Sequence, residues 1–138
     1  MASDSGRGVG LLIARLCLAS IFSYTGLSEI RHVPETAAYL APMGYPLPTV
    51  MAWVAVLAQI GGALSLILGA LTPLGCIALI LFLLPTTYTF HLPGLLHGNP
   101  EEAINTLKNL GLVGGLVALL LSGPGRFSID RRMLKGAP

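Results

Sequence analysis

The sequence predicts an all-α membrane protein, a four-helix transmembrane bundle with short loops. Two observations carry that prediction. Of the 138 residues, 54% are hydrophobic and 10% are charged, with a mean hydropathy of +0.77, whereas soluble domains carry about 25% charged residues. The apolar residues also gather into four stretches, Val9 to Leu27, Val50 to Leu71, Leu74 to Phe90 and Ile104 to Leu121. Each is close to the ~20 residues that a helix needs to cross a ~30 Å hydrocarbon core. One four-helix domain over residues 1–138 accommodates them, with an outer loop at 28–49 and a cytoplasmic tail at 122–138.

The first stretch contains "LLIARLCLAS", with a charge in its middle. It reads as a span and not as a cleaved signal peptide, because Arg15 interrupts the apolar run and three more spans follow. An intramembrane charge costs at least ~2.5 kcal/mol at mid-span. Arg15 therefore either snorkels to cytoplasmic headgroups or supports a polar site inside the bundle.

The loop that follows holds several prolines and a glycine, which end any long helix. Its middle, "VPETAAYLAPM", suits a short helix beginning at Pro34, since proline is tolerated in a first turn. That helix is expected to lie across the outer mouth of the bundle.

On the second span Ala52, Ala55, Gln59, Gly62, Ala63 and Leu66 share one face, a small-residue surface suited to close packing in lipid. Gln59 is accordingly expected to face the bundle. The link "LTPLG" at 71–75 is a tight turn that makes the second and third helices antiparallel neighbours.

The third span ends "LLPTTYTFH". Pro85 cannot donate to the carbonyl one turn back and bends the helix, while Thr87, Tyr88 and His91 gather polar groups near the outer surface. On the fourth span Gly111 and Gly115 form a GxxxG pair, and Lys108 lies near the outer end beside Asn105 and Asn109.

Basic residues set the orientation. Arg7 precedes the first span, and Arg126, Arg131, Arg132 and Lys135 follow the last, whereas the outer loops hold only Arg31. Positive charge stays on the cytoplasmic side, so both termini are expected there.

Several function classes drop out. The net charge of +2 is scattered, which excludes the basic face of a nucleic-acid binder. Cys17 and Cys76 show no CxxC spacing or disulfide framework and read as small packing residues. No fixed ligand spacing organises His32, His91, His97 and the glutamates into a metal site, and no nucleotide, haem, flavin or iron–sulfur motif appears.

With these residues laid out, the sequence resembles the DoxX family of small bacterial and archaeal four-helix membrane proteins, from about Leu11 to Asp130. "LLIARLCLASIFSYTG" with Arg15 and Gly26, the long segment from "AAYLAPMGYPLP" to "LTPLG", "TYTFHLP" with His91 and "LLLSGPGRFSID" carry the likeness. The family pattern has a lysine three residues after the first-helix glycine and a glutamate beside the second-helix glycines; this chain has Glu29 and Gln59 there.

The resemblance implies a location in the bacterial or archaeal cytoplasmic membrane, in contact with lipid. Family members include membrane subunits of quinone-linked sulfur-compound oxidoreductases and of complexes tied to thiol and oxidative-stress defence. The leading expectation is an accessory subunit of such a redox system, with no intrinsic cofactor, a quinone between the helices, and a partner protein as electron source. Arg15, Tyr24, Gln59, Thr87, Tyr88, His91 and Lys108 are the candidate ligand-binding residues. The alternatives are a non-catalytic scaffold or lipid- or cargo-interacting protein, as in the similar surfeit-type cargo receptors, and a small transporter or channel, which would need a pore between protomers of a homo-oligomer.

Overall fold

A computed structural model describes residues 4–135; the end of the expected tail, 136–138, lies outside the described residues. The chain forms α1 (Asp4–Ile30), α2 (Val33–Leu40), a 3-10 turn (Ala41–Met43), α3 (Pro48–Leu68), α4 (Thr72–Thr86), a π-helical segment (Thr87–His91), α5 (Leu92–Leu96), α6 (Pro100–Ser122) and α7 (Ile129–Lys135). No strand occurs among the described residues. Among the described residues four helical runs are long and apolar enough to span a membrane, 5–30, 48–68, 72–96 and 100–122, and they make the expected four-helix bundle.

The ends of these helices follow from hydrogen bonding more than from hydropathy. α3 stops at Leu68 instead of Leu71, because Gly69 adopts a left-handed φ of 64° and Ser65 O accepts the N–H groups of Gly69 and Ala70. This is the usual glycine stop. α6 begins at Pro100, four residues before its apolar stretch: Asn99 Oδ1 accepts from the N–H groups of Glu101 and Glu102 at 3.0 and 3.4 Å, and both glutamates favour the positive helix end.

The third span does not end at Phe90 but continues to Leu96. Pro85 leaves the helix without one N–H donor. The Thr86 and Thr87 hydroxyls donate to the carbonyls of Phe82 and Leu83, each at 2.7 Å. The π segment begins at once after them and absorbs the disturbance within a continuous helix.

Ala19, Phe22, Ala63, Leu66, Cys76, Leu79, Leu83, Leu116 and Leu119 form the core. A second cluster of Val33, Ala52 and Val56 packs α2 onto α3 at the end of the bundle away from the termini, the far end. Leucines and isoleucines also cover the outside, Leu121 being 82% exposed and Leu57 67%, so the outer surface meets lipid. Cys76 packs in the core, whereas Cys17 faces outward.

The expected GxxxG contact is not made within the bundle. Gly115 packs toward Leu18 of α1, but a Cβ on Gly111 would meet nothing within 4 Å. The close helix approaches fall elsewhere: Gly26 lies against Gln59 and Ile60, and Gly62 against Leu79.

Candidate functional site

α3 and α4 touch near the turn that joins them, where Gly62 faces Leu79 and Gly75 faces Ser65. Beyond Ala58 and Ala78 the space between them is an elongated groove of about 580 Å³ that runs to His91. Its walls are mainly apolar and include Ala52, Ala55, Leu81, Phe82 and Pro85. Small side chains on α3 leave the room, and Pro85 adds an apolar ring to the α4 wall.

Polar groups gather at the far end of this groove. Tyr45 Oη and Thr89 Oγ1 are hydrogen-bonded at 2.7 Å. Thr36 donates to Glu29 Oε1 at 2.9 Å, and His91 Nδ1 lies 2.6 Å from Glu102 Oε2. α2 supplies Thr36 and Leu40 to the lining, and its Tyr39 ring stacks on Phe90 with centroids 5.0 Å apart. An apolar trough with hydrogen-bonding groups at one end matches an amphiphile with a compact polar head.

The seven candidate residues do not share one site. Tyr24 and Tyr88 point outward at 77% and 71% exposure. Lys108 is exposed and donates to Asn105 at 3.2 Å. These three face away from the bundle interior, because a helix surface offers only one inward stripe, which the apolar core residues and Asn109 occupy.

Thr87 and His91 do lie inside the far half. Thr87 Oγ1 accepts from Asn109 Nδ2 at 2.9 Å and ties α6 to the π segment, while His91 lines the groove. Gln59 is 1% exposed and accepts from Thr25 Oγ1 at 2.6 Å, joining α1 to α3. Its amide nitrogen has no partner.

Arg15 is also 1% exposed but sits at the opposite end, roughly 21 Å from Glu29 along α1 at ~1.5 Å per residue. It neither snorkels nor joins the groove. Its Nη2 donates to Phe127 O at 2.6 Å, holding the tail, which folds back under the bundle. Asp130 completes that closure: its two carboxylate oxygens accept from the N–H groups of Leu71 and Thr72 at 2.7 and 2.9 Å, and its own N–H donates to Gly69 O at 2.9 Å.

Glu29, Thr36, Tyr45, Thr89 and Glu102 were not among the candidates. Thr89 belongs to the same polar "TTYT" run as Thr87 and carried a signal. Tyr45 lies in a loop without periodicity, and the pairing of Glu102 with His91 depends on the turn between α5 and α6, so neither was marked by spacing.

Comparison with known proteins agrees with this architecture. The DoxX family model matches residues 10–92. The chain is similar to the inner membrane protein YqjF of Escherichia coli, at 35% identity over 92% of this chain and 94% of that protein. It is also similar to the inner membrane protein YphA of the same organism, at 32% identity over 93% of each. No solved structure matches significantly. A match over more than half of the chain, with two relatives covered almost end to end, settles the family: the chain belongs to the DoxX family and is an integral, multi-pass membrane protein.

Proposed function

We propose that the protein binds a quinone, or an amphiphile of the same shape, in the groove between α3 and α4, and serves as an accessory subunit of a redox system in the cytoplasmic membrane with both termini in the cytoplasm. The groove carries this reading: about 580 Å³ falls within the roughly 300–1,000 Å³ of small-molecule sites. An apolar tail fits beside the alanines of α3, and the His91–Glu102 and Tyr45–Thr89 pairs offer N–H and O–H groups to a ring carbonyl. A bound quinone supplies the electron-accepting group. The chain's own residues bind it, orient its head and exclude water, and a partner protein supplies the electrons. The orientation rests on Arg7, Arg126, Arg131 and Arg132 at the terminal end.

One observation favours a second reading, a non-catalytic lipid-binding scaffold. Two groove walls, Val54 and Leu81, are 59% and 65% exposed to the surrounding hydrocarbon, so a phospholipid chain has open access. Native mass spectrometry of gently extracted protein separates the two. A co-purifying quinone that is lost in Ala58→Phe, which fills the groove floor, is the expected result. Phospholipid alone, with no quinone-dependent rise in melting temperature across a panel of quinones, would overturn the redox reading in favour of the scaffold.

A further inference from the structure

A second recess, of about 220 Å³, lies at the terminal end between the start of α1 and the loop leaving α6. Arg7, Arg126 and Arg131 line it together with Leu11, Ser122 and Pro124, and no acidic residue does among the described residues. It is smaller than the ~300 Å³ at which drug-sized sites begin, yet holds several groups of water size at ~30 Å³ each. The space suits a small anion or a lipid headgroup, not a whole amphiphile.

The recess is built, not incidental. A Cβ on Gly8 would collide with Arg126 Cγ and lie 2.7 Å from its Cδ, so only glycine lets the Arg126 stem cross α1. From there Arg126 Nη1 donates to Ser5 Oγ at 2.7 Å, and its guanidinium carbon sits 5.2 Å from the Phe127 ring centroid. On the other side Gly125 packs against Leu11, which brings the loop backbone across.

Arg7 and Arg131 have no side-chain hydrogen bond or ion pair among the described residues. The carboxylate adjoining Arg131, Asp130, is directed to the N-terminus of α4. Three arginines thus line one recess, with no carboxylate beside them among the described lining residues, and that concentration of positive charge favours an anion. Arginine forks match phosphate oxygens in pairs. The helices framing the recess also present Val9 and Leu121 outward, at 45% and 82% exposure, so acyl chains attached to that phosphate have apolar surface beside them.

We propose that Arg7, Arg126 and Arg131 form a phosphate site, taking the headgroup phosphate of an anionic phospholipid or free inorganic phosphate. The inference is independent of the α3–α4 groove. The test uses the purified full chain, with native mass spectrometry against phosphatidylglycerol and phosphatidylcholine, and thermal melts with inorganic phosphate or chloride at equal ionic strength. Arg7→Gln/Arg131→Gln is compared with Arg31→Gln/Arg132→Gln, which removes the same charge outside the recess, after both pass circular dichroism and gel filtration.

The expected result is a preference for phosphatidylglycerol that falls roughly thirtyfold in Arg7→Gln/Arg131→Gln, from about fivefold per basic residue near a membrane surface, and falls little in the control pair. A phosphate-dependent rise in melting temperature without lipid preference, lost only in the recess variant, would identify free phosphate as the source. Equal binding of both lipids with no phosphate effect, or equal loss in both variants, would overturn the site.

Discussion

Asp130 shows how one side chain closes the end of the bundle. Its carboxylate holds two N–H groups at the start of α4, one of them on Leu71, a residue in a left-handed conformation with φ 52° that costs about 1–3 kcal/mol without such support. Burial pushes the carboxyl up, but the hydrogen bonds from Thr72 and Leu71 and the Arg15 charge outweigh it and hold Asp130 below its ordinary 3.8. The unfolded chain therefore takes up this proton at a higher pH than the folded one. The stabilisation is whole above about pH 4 and is lost as pH falls through the lower folded value. Asp130→Ala is expected to cost about 1 kcal/mol near neutrality, as for other helix caps, and to flatten the fall in melting temperature below about pH 4. An equally steep fall in the variant would show that other carboxylates govern acid unfolding. Neither Asp130 nor its neighbour Arg15 was legible in this role: the partner of Arg15 is a backbone carbonyl 112 residues away, and composition carries no trace of such a bond.

Adjacent glycines on α3 separate what a helix element tolerates from what it requires. A Cβ on Gly62 would lie 2.5 Å from Leu79 Cγ, while one on Gly61 meets nothing within 4 Å. Gly62→Ala is expected to force α3 and α4 apart and cost about 1–3 kcal/mol. Gly61→Ala, facing lipid, is expected to gain up to ~1 kcal/mol of helix propensity. Melting temperatures in one detergent check both, and matching shifts of the same sign would contradict the α3–α4 packing. This face was readable in the sequence: Ala52, Gln59, Gly62, Ala63 and Leu66 are buried at the expected spacing, because packing in lipid selects small residues with helical period. The Gly111/Gly115 pair had the same pattern, yet only Gly115 meets a neighbouring helix, since spacing names a face and not its partner. The stop assigned at Phe90 failed for a related reason. The polar run after Pro85 resembles a helix end, but threonine hydroxyls bonded one turn back and a π segment carry the helix through.

For the whole molecule, four spans and a lipid-facing exterior were legible because they depend on average hydropathy, which local sequence records. A single site was not, because the polar residues lie on three levels: the far-end groove, the Thr25–Gln59 bond between α1 and α3, and the closure by the tail. The third level ties the end of the chain to its beginning and has a consequence for cooperativity. Arg15 holds the tail at Phe127 and Asp130 holds it three residues later, so a tail released at one point loses most of the support at the other. Arg15→Leu alone is expected to cost about 1–3 kcal/mol, the usual effect of stranding a buried hydrogen-bond partner. Asp130→Ala added to it is expected to cost much less than it does alone, with a coupling of about 0.5–3 kcal/mol in a double-mutant cycle. Melting temperatures give the cycle, and trypsin cleavage after the exposed Arg131 or Arg132 reports release of the tail directly. Strict additivity, with cleavage increasing in two separate steps, would mean that the two contacts act independently and that the tail is not one closing unit. Non-additivity would identify α1, the α3–α4 turn and the tail as a single cooperative cap beneath the bundle.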